Sequence, residues 1–187
     1  MMLSGSSLLT GCLGSVWTGA ALFYDRHNVY KKIDDYTLSM SAHHTLFDDK
    51  LLRKDGCYLD LAVFNGDILL AGHLPSAKLR SLAEHRIKSL SGYRELFFQI
   101  AIQDEEGQNL NDAWITTKIR SRIIADSAID PNQFKVITVD GIVYIMGDVR
   151  PKQASRAIEI ARETNGVVRV VKLLRYYNLS ETPSESG

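Results

Sequence analysis

The sequence predicts an α+β protein of two tandem α-β-β-α-β modules, each a three-stranded mixed sheet packed against two helices. Three observations carry that expectation. An Asn-Gly or Asp-Gly pair twice separates two apolar-alternating runs, at Asn65-Gly66 and Asp140-Gly141, and Gly72 and Gly147 follow at the same 75-residue spacing. A segment with apolar residues at every fourth position precedes each pair. A second helical pattern, closed by a glycine and a strand-like run, follows each. Self-similarity at one fixed period marks repeated structural units.

In chain order, Leu38, Ala42 and Leu46 give Asp34 to Asp48 the spacing of an amphipathic helix. The run around Asn65-Gly66 reads as a β-hairpin, because both turn positions need positive φ. Gly66, Gly72, Gly141 and Gly147 are taken together as structural turn glycines. Leu79, Leu82, Ala83, Ile87 and Leu90 define the second helix, Gly92 ends it, and Tyr93 to Ile102 is the closing strand. In the second copy, Ile115, Ile119 and Ile123 define a helix over Asp112 to Asp126, opened by an Asn111 or Asp112 cap. The hairpin at Asp140-Gly141, a helix through Ala154, Ala157, Ile158 and Ala161, the stop at Gly166 and a strand from Val167 to Tyr176 complete it. The modules span 34–103 and 111–177, with a polar linker at 104–110 and a disordered tail at 178–187. Units of about 70 residues bury little surface alone, so packing the two copies together would help.

Twenty-two basic and twenty-two acidic residues cancel, so no global field draws the chain to nucleic acid or to acidic membrane lipids; any such attraction must be a local patch, and no nucleic acid is expected as a partner. No apolar run reaches the roughly 18 residues of a membrane-spanning helix. A catalytic reading finds no phosphate loop, nucleophile elbow, Cys-x-x-Cys or His-Glu-x-x-His, so no catalytic residue, cofactor or metal is assigned. His43 and His44 are adjacent, so on a helix they diverge by about 100° and read as a solvated pair. Cys57 opens the first strand with no recognisable base beside it and reads as an inert thiol. Asp104, Glu105 and Glu106 read as solvated linker charges.

Leu9-Thr10-Gly11-Cys12 resembles the lipobox of bacterial lipoprotein precursors. The resemblance implies a signal peptide at 1–11, lipid (palmitate among it) on Cys12, and a lipid-anchored tether at 12–33. Leu13, rather than Asp, would imply transfer to the outer membrane. The segment departs from the pattern in having no Lys or Arg before Cys12: either the true start lies upstream of Met1 or the signal is weak. The bland alternative is an apolar terminus with an incidental cysteine.

With Ile115, Ile119 and Ile123 facing the sheet, Trp114, Lys118 and Ser121 fall on one flank of their helix, and Thr117, Arg120 and Ile124 point away from the core. An exposed tryptophan near an exposed isoleucine, among Lys118, Arg120 and Arg122, is suited to a lipid interface. The alternative is that Trp114 folds under the linker or packs on the first module.

The hairpin pattern, the Ala-rich second helix and the Gly-Val before the last strand resemble the BON domain. Two such units behind a lipobox resemble the dual-BON outer-membrane lipoproteins of the DolP type. Tyr24-Asp25-Arg26 with Asp34-Asp35, and the run from Asn111 through Arg120, match that subfamily. The likeness covers about residues 9 to 176, and Arg86 and Tyr93 are the first copy's clearest departures from it. It implies that Trp114, Ile115, Thr117, Lys118, Ile119 and Ile124 bind anionic phospholipid. The implied protein is a monomeric, non-enzymatic lipoprotein on the periplasmic face of the outer membrane, supporting envelope integrity. Its partners would be an anionic phospholipid membrane and, in the alternative reading as an interaction scaffold, envelope proteins. A sugar- or peptidoglycan-binding role is left open.

Overall fold

The computed structural model describes residues 34–48, 50–103 and 109–177. Cys12, the segments 1–11, 12–33 and 178–187, and most of the linker lie outside the described residues. Helix α1 occupies 34–47 and is followed by β1 (Tyr58–Phe64), β2 (Asp67–Leu74), α2 (Ala77–Lys88) and β3 (Glu95–Ile102). The second module repeats the order as α3 (Asn109–Ala125), β4 (Phe134–Val139), β5 (Ile142–Val149), α4 (Pro151–Arg162) and β6 (Arg169–Tyr176). Each sheet has its hairpin partner antiparallel and its last strand parallel to the central one, so both are mixed, as the sequence predicts. Short 3-10 turns at Lys50–Arg53 and Pro131–Gln133, which no periodicity announces, lead into β1 and β4.

Both hairpins turn on two residues at positive φ, 51° and 81° at Asn65-Gly66 and 52° and 71° at Asp140-Gly141. A carboxylate from the preceding helix fastens each turn. Asp35 accepts the Asn65 and Gly66 amides, both at 2.7 Å, and Asp112 accepts those of Asp140 and Gly141 at 2.7 and 2.8 Å. Asp112 is therefore not the cap that its position suggests: α3 begins at Asn109, and the buried carboxylate holds the hairpin instead. The linker range is shortened accordingly, since Asn109 and Leu110 are already helical. Gly72 and Gly147 also differ from expectation. They lie inside β2 and β5, not in turns, and a side chain there would collide with the carbonyl oxygens of Tyr58 and Gln133.

Alternation along the strands sends every second side chain to the helices. Ile68, Leu70 and Leu74 of β2 pack with Ala42, Leu46, Ala83 and Ile87, while Val143, Ile145 and Val149 of β5 pack with Ile115, Ile119, Ala157 and Ala161. The other faces pack on each other. Leu69, Ala71 and Ala62 of the first sheet meet Ile137, Val139, Tyr144, Met146 and Leu173 of the second. The order is thus helices, sheet, sheet, helices.

Polar contacts across this interface obey the internal repeat. His73 Nδ1 lies 2.8 Å from Asp140 Oδ2, and in the reciprocal positions Asn65 Nδ2 donates to Asp148 Oδ2 at 3.1 Å. A turn residue of each module thus contacts a strand residue of the other, the pattern of an isologous, two-fold interface. Arg94 donates to Asp67 and Asp148, and Arg175 reaches Asp67 and Glu95 across the same seam.

Replacing Asp112 by Ala leaves two amide donors without their charged acceptor. Asp112→Ala is expected to lower unfolding stability by roughly 2–3 kcal/mol in urea titration, and Asp35→Ala by less, because Asp35 is less deeply buried.

Candidate lipid-facing helix and module cleft

The inner side of α3 is fixed at every turn. Ile115, Ile119 and Ile123 are buried in the core, Thr116 donates to the Thr138 hydroxyl at 2.8 Å, and Arg122 reaches into α4 to the Ile160 carbonyl and, at 2.8 Å, Glu163. Arg122, read from the sequence as a cation of the outer face, is thus spent on tying α3 to α4. Ile115 and Ile119 have no surface to offer a ligand, so burial corrects their place in the implied contact set: their part is to seat the helix.

The outer side is fixed only by itself. Trp114 is 50% exposed and carries the Lys118 ammonium over its ring, 4.5 Å from the centroid. At half exposure it is not part of the core. Thr117 donates back to the Ala113 carbonyl at 2.8 Å, and Ile124 stands 67% exposed. The result is an aromatic, an aliphatic and a cation on one rigid face. Sequence reading missed Val168, which is 80% exposed on the loop that packs on Ile115 through Gly166. Its place within the strand expected from Val167 gave no sign of exposure, whereas β6 begins only at Arg169.

Beside this face, under the Thr117 and Arg120 flank, is a cleft of about 330 Å³ that neither module forms alone. Edge strand β1 contributes Tyr58 and Asp60, and edge strand β4 contributes Lys135. Burial pushes the Asp60 carboxyl up, opposed by the charge of Lys135, and burial with nearby carboxylates pushes the Tyr58 phenol up, keeping it a hydrogen-bond donor. Among the described residues, Arg120 and Lys135 form no ion pair. Elsewhere, His43 packs on Phe47 with ring centroids 4.9 Å apart, His44 pairs with Asp48 at 3.2 Å, and burial raises the pKa of the Cys57 thiol, which disfavours thiolate.

Comparison with known proteins agrees with the geometry. Residues 111–178 match the BON domain family. The chain is 27% identical over 182 residues to the outer membrane lipoprotein DolP of Haemophilus influenzae, covering 94% of each chain. It is 30% identical over 154 residues to the 21 kDa hemolysin of Actinobacillus pleuropneumoniae, covering 81% of this chain and 79% of that one. The C-terminal domain of CdsD, a type III secretion structural protein of Chlamydia trachomatis, aligns at a TM-score of 0.31 and 9% identity over 75% of this chain and 98% of that one, too distant to carry an argument. The chain belongs to the BON-domain lipoprotein family of the DolP type. The family match falls on the second module alone, and it is the shared topology that makes the first a BON-like unit as well.

A carboxyl whose pKa is raised by folding contributes its full stability below the unfolded carboxylate range and loses it as pH rises through the folded value. Asp60→Asn is therefore expected to be more stable than the parent at neutral pH, with the gain vanishing in acid. Thermal melts across pH 3 to 8, on the order of one unit apart, check the sign; a variant destabilised at neutral pH would contradict it.

Proposed function

We propose that this chain is a non-enzymatic, lipid-anchored envelope protein that binds anionic phospholipid through the outer face of α3 and supports outer-membrane integrity. The observation that carries the reading is the half-exposed Trp114 bearing Lys118 on its ring, with Ile124 on the same free side of a helix whose other side is locked to the core. An indole settles at headgroup depth, an aliphatic side chain enters the acyl boundary, and ammonium and guanidinium groups meet lipid phosphates. Thr117 and Arg120 flank that surface. The outer-membrane location rests on kinship with the Haemophilus lipoprotein and on the lipobox ending at Cys12, which would place the modules at the periplasmic face. An anchored protein needs only a weak second contact, because tethering raises the local lipid concentration.

A second reading, a protein-interaction scaffold, draws on Tyr36 and Met40, exposed at 68% and 44% one turn apart on α1 of the first module. The two differ in what they require of Trp114. Trp114→Glu is expected to abolish binding to phosphatidylglycerol micelles in an amide-shift titration, with chemical shifts away from α3 unchanged. Normal micelle binding by the variant would sink the lipid assignment.

A further inference from the structure

We propose that Asn65 is a site of spontaneous deamidation, held in check by Asp35, and that its conversion to an acid uncouples the two modules. The inference stands on the geometry of the first hairpin and is independent of any lipid contact.

Asparagine is a thermolabile residue, most of all before glycine, which has no Cβ to shield its nitrogen. Hydroxide takes the Gly66 amide proton, and the freed nitrogen bonds to Asn65 Cγ. The Cγ–Nδ2 bond breaks, ammonia leaves, and a cyclic succinimide closes. Water then opens the ring at either carbonyl, giving aspartate or an isoaspartate whose backbone is longer by a carbon atom. No oxidant and no reactant other than water is required.

In the folded chain the reacting atoms are tied. The Gly66 amide donates to Asp35 Oδ1 and the Asn65 amide to Asp35 Oδ2, both at 2.7 Å, and Asn65 Nδ2 donates to Asp148 Oδ2 at 3.1 Å. A nitrogen that gives up its proton beside the Asp35 carboxylate exchanges a charge-assisted hydrogen bond for the repulsion of two anions. Asp35 therefore restrains the reaction, but incompletely. It is partly open to water, as are Asn65 and Gly66, whereas Asp112, which clamps the corresponding Asp140-Gly141 turn, is only 3% exposed. Aspartate before glycine closes the same succinimide, so the second turn is an internal control behind a buried clamp.

The consequence follows from what faces each side chain. Across the module interface Asp140 meets His73, whose ring can donate, so an acid is matched there. Asn65 meets Asp148, a carboxylate, which only accepts. Arg94 and Arg175 already serve Asp67, Glu95 and Asp148 on this seam, and Asp35 stands behind the turn. An acid at position 65 takes a donor away from Asp148 and adds one more carboxylate to a seam where these outnumber the guanidiniums. The isoaspartate product also lengthens a turn built on two residues at positive φ.

The test incubates the full chain in mildly alkaline buffer and reads each turn by peptide mass spectrometry for the acid and by isoaspartyl methyltransferase labelling for the isomer. Position 65 of the folded parent is expected to convert slowly, and Asp140 to stay unisomerised over the same time. Asp35→Ala is expected to convert at least about tenfold faster, since opening its turn no longer breaks two charge-assisted hydrogen bonds. Asp35→Asn, which keeps the shape without the charge, carries the same expectation if the alanine variant does not fold. Conversion no faster than in the parent would overturn the restraint. The uncoupling is read in Asn65→Asp, by amide exchange at Leu69 and Met146, both buried between the sheets. Both are expected to lose protection, and Asn65→Gly, which keeps the positive φ and removes the donor without adding charge, to fall between the parent and Asn65→Asp. Unchanged exchange in Asn65→Asp, or equal loss in the two variants, would overturn the account of the seam.

Discussion

The structure depends on one constraint: both faces of the central strands are apolar, and a two-helix module can cover only one of them. All eight residues of β2 are buried, and in β5 only Ile142 and Asp148 are partly open. Helices take the Ile68, Leu70 and Leu74 face and the Val143 and Ile145 face. What remains is a pair of apolar sheet surfaces, and the only cover of matching shape among the described residues is the other copy. The repeat is thus a packing solution as well as a duplication. The exchange of contacts between positions 65 and 148 and positions 73 and 140 shows the two copies related by an approximate two-fold.

This arrangement decides what is left for function. With the sheet faces consumed, the exposed surfaces are helices and strand edges. The inner side of α3 is engaged through its isoleucines, Thr116 and Arg122, and its outer side takes no part in the core. The cleft has the same origin: edge strands β1 and β4 approach only because the sheets stack.

Much of this was legible in the sequence. The Asn-Gly and Asp-Gly turns, the spacing of Ile115, Ile119 and Ile123 and the glycine stops at Gly92 and Gly166 placed all ten major elements, and the helical arc placed Trp114, Thr117, Lys118 and Ile124 outside. What escaped involved partners distant in the chain. Asp112 looks like a helix cap because its true acceptor role is to amides 28 and 29 residues away. Arg122 looks like a surface cation because its carbonyl partner at Ile160 belongs to another helix. Gly72 and Gly147 share the 75-residue spacing of the turn glycines, but their reason is a backbone carbonyl approaching from elsewhere. The run Ile68-Leu69-Leu70-Ala71, read as one of the alternating runs of a hairpin, is buried on both faces, and a continuous apolar strand does not say what covers its second face.

That second face offers the most direct measurement of the account. Leu69 lies on the interface side of β2 in the first module, fully buried, with no part in the helix-side core. Leu69→Asp puts a charge between the sheets. If the two modules are one body, amide exchange in the core of the second module, at Ile145 and Met146, will accelerate together with that of the first. Unchanged protection in the second module, with loss confined to the first, would contradict a fold built on the shared face.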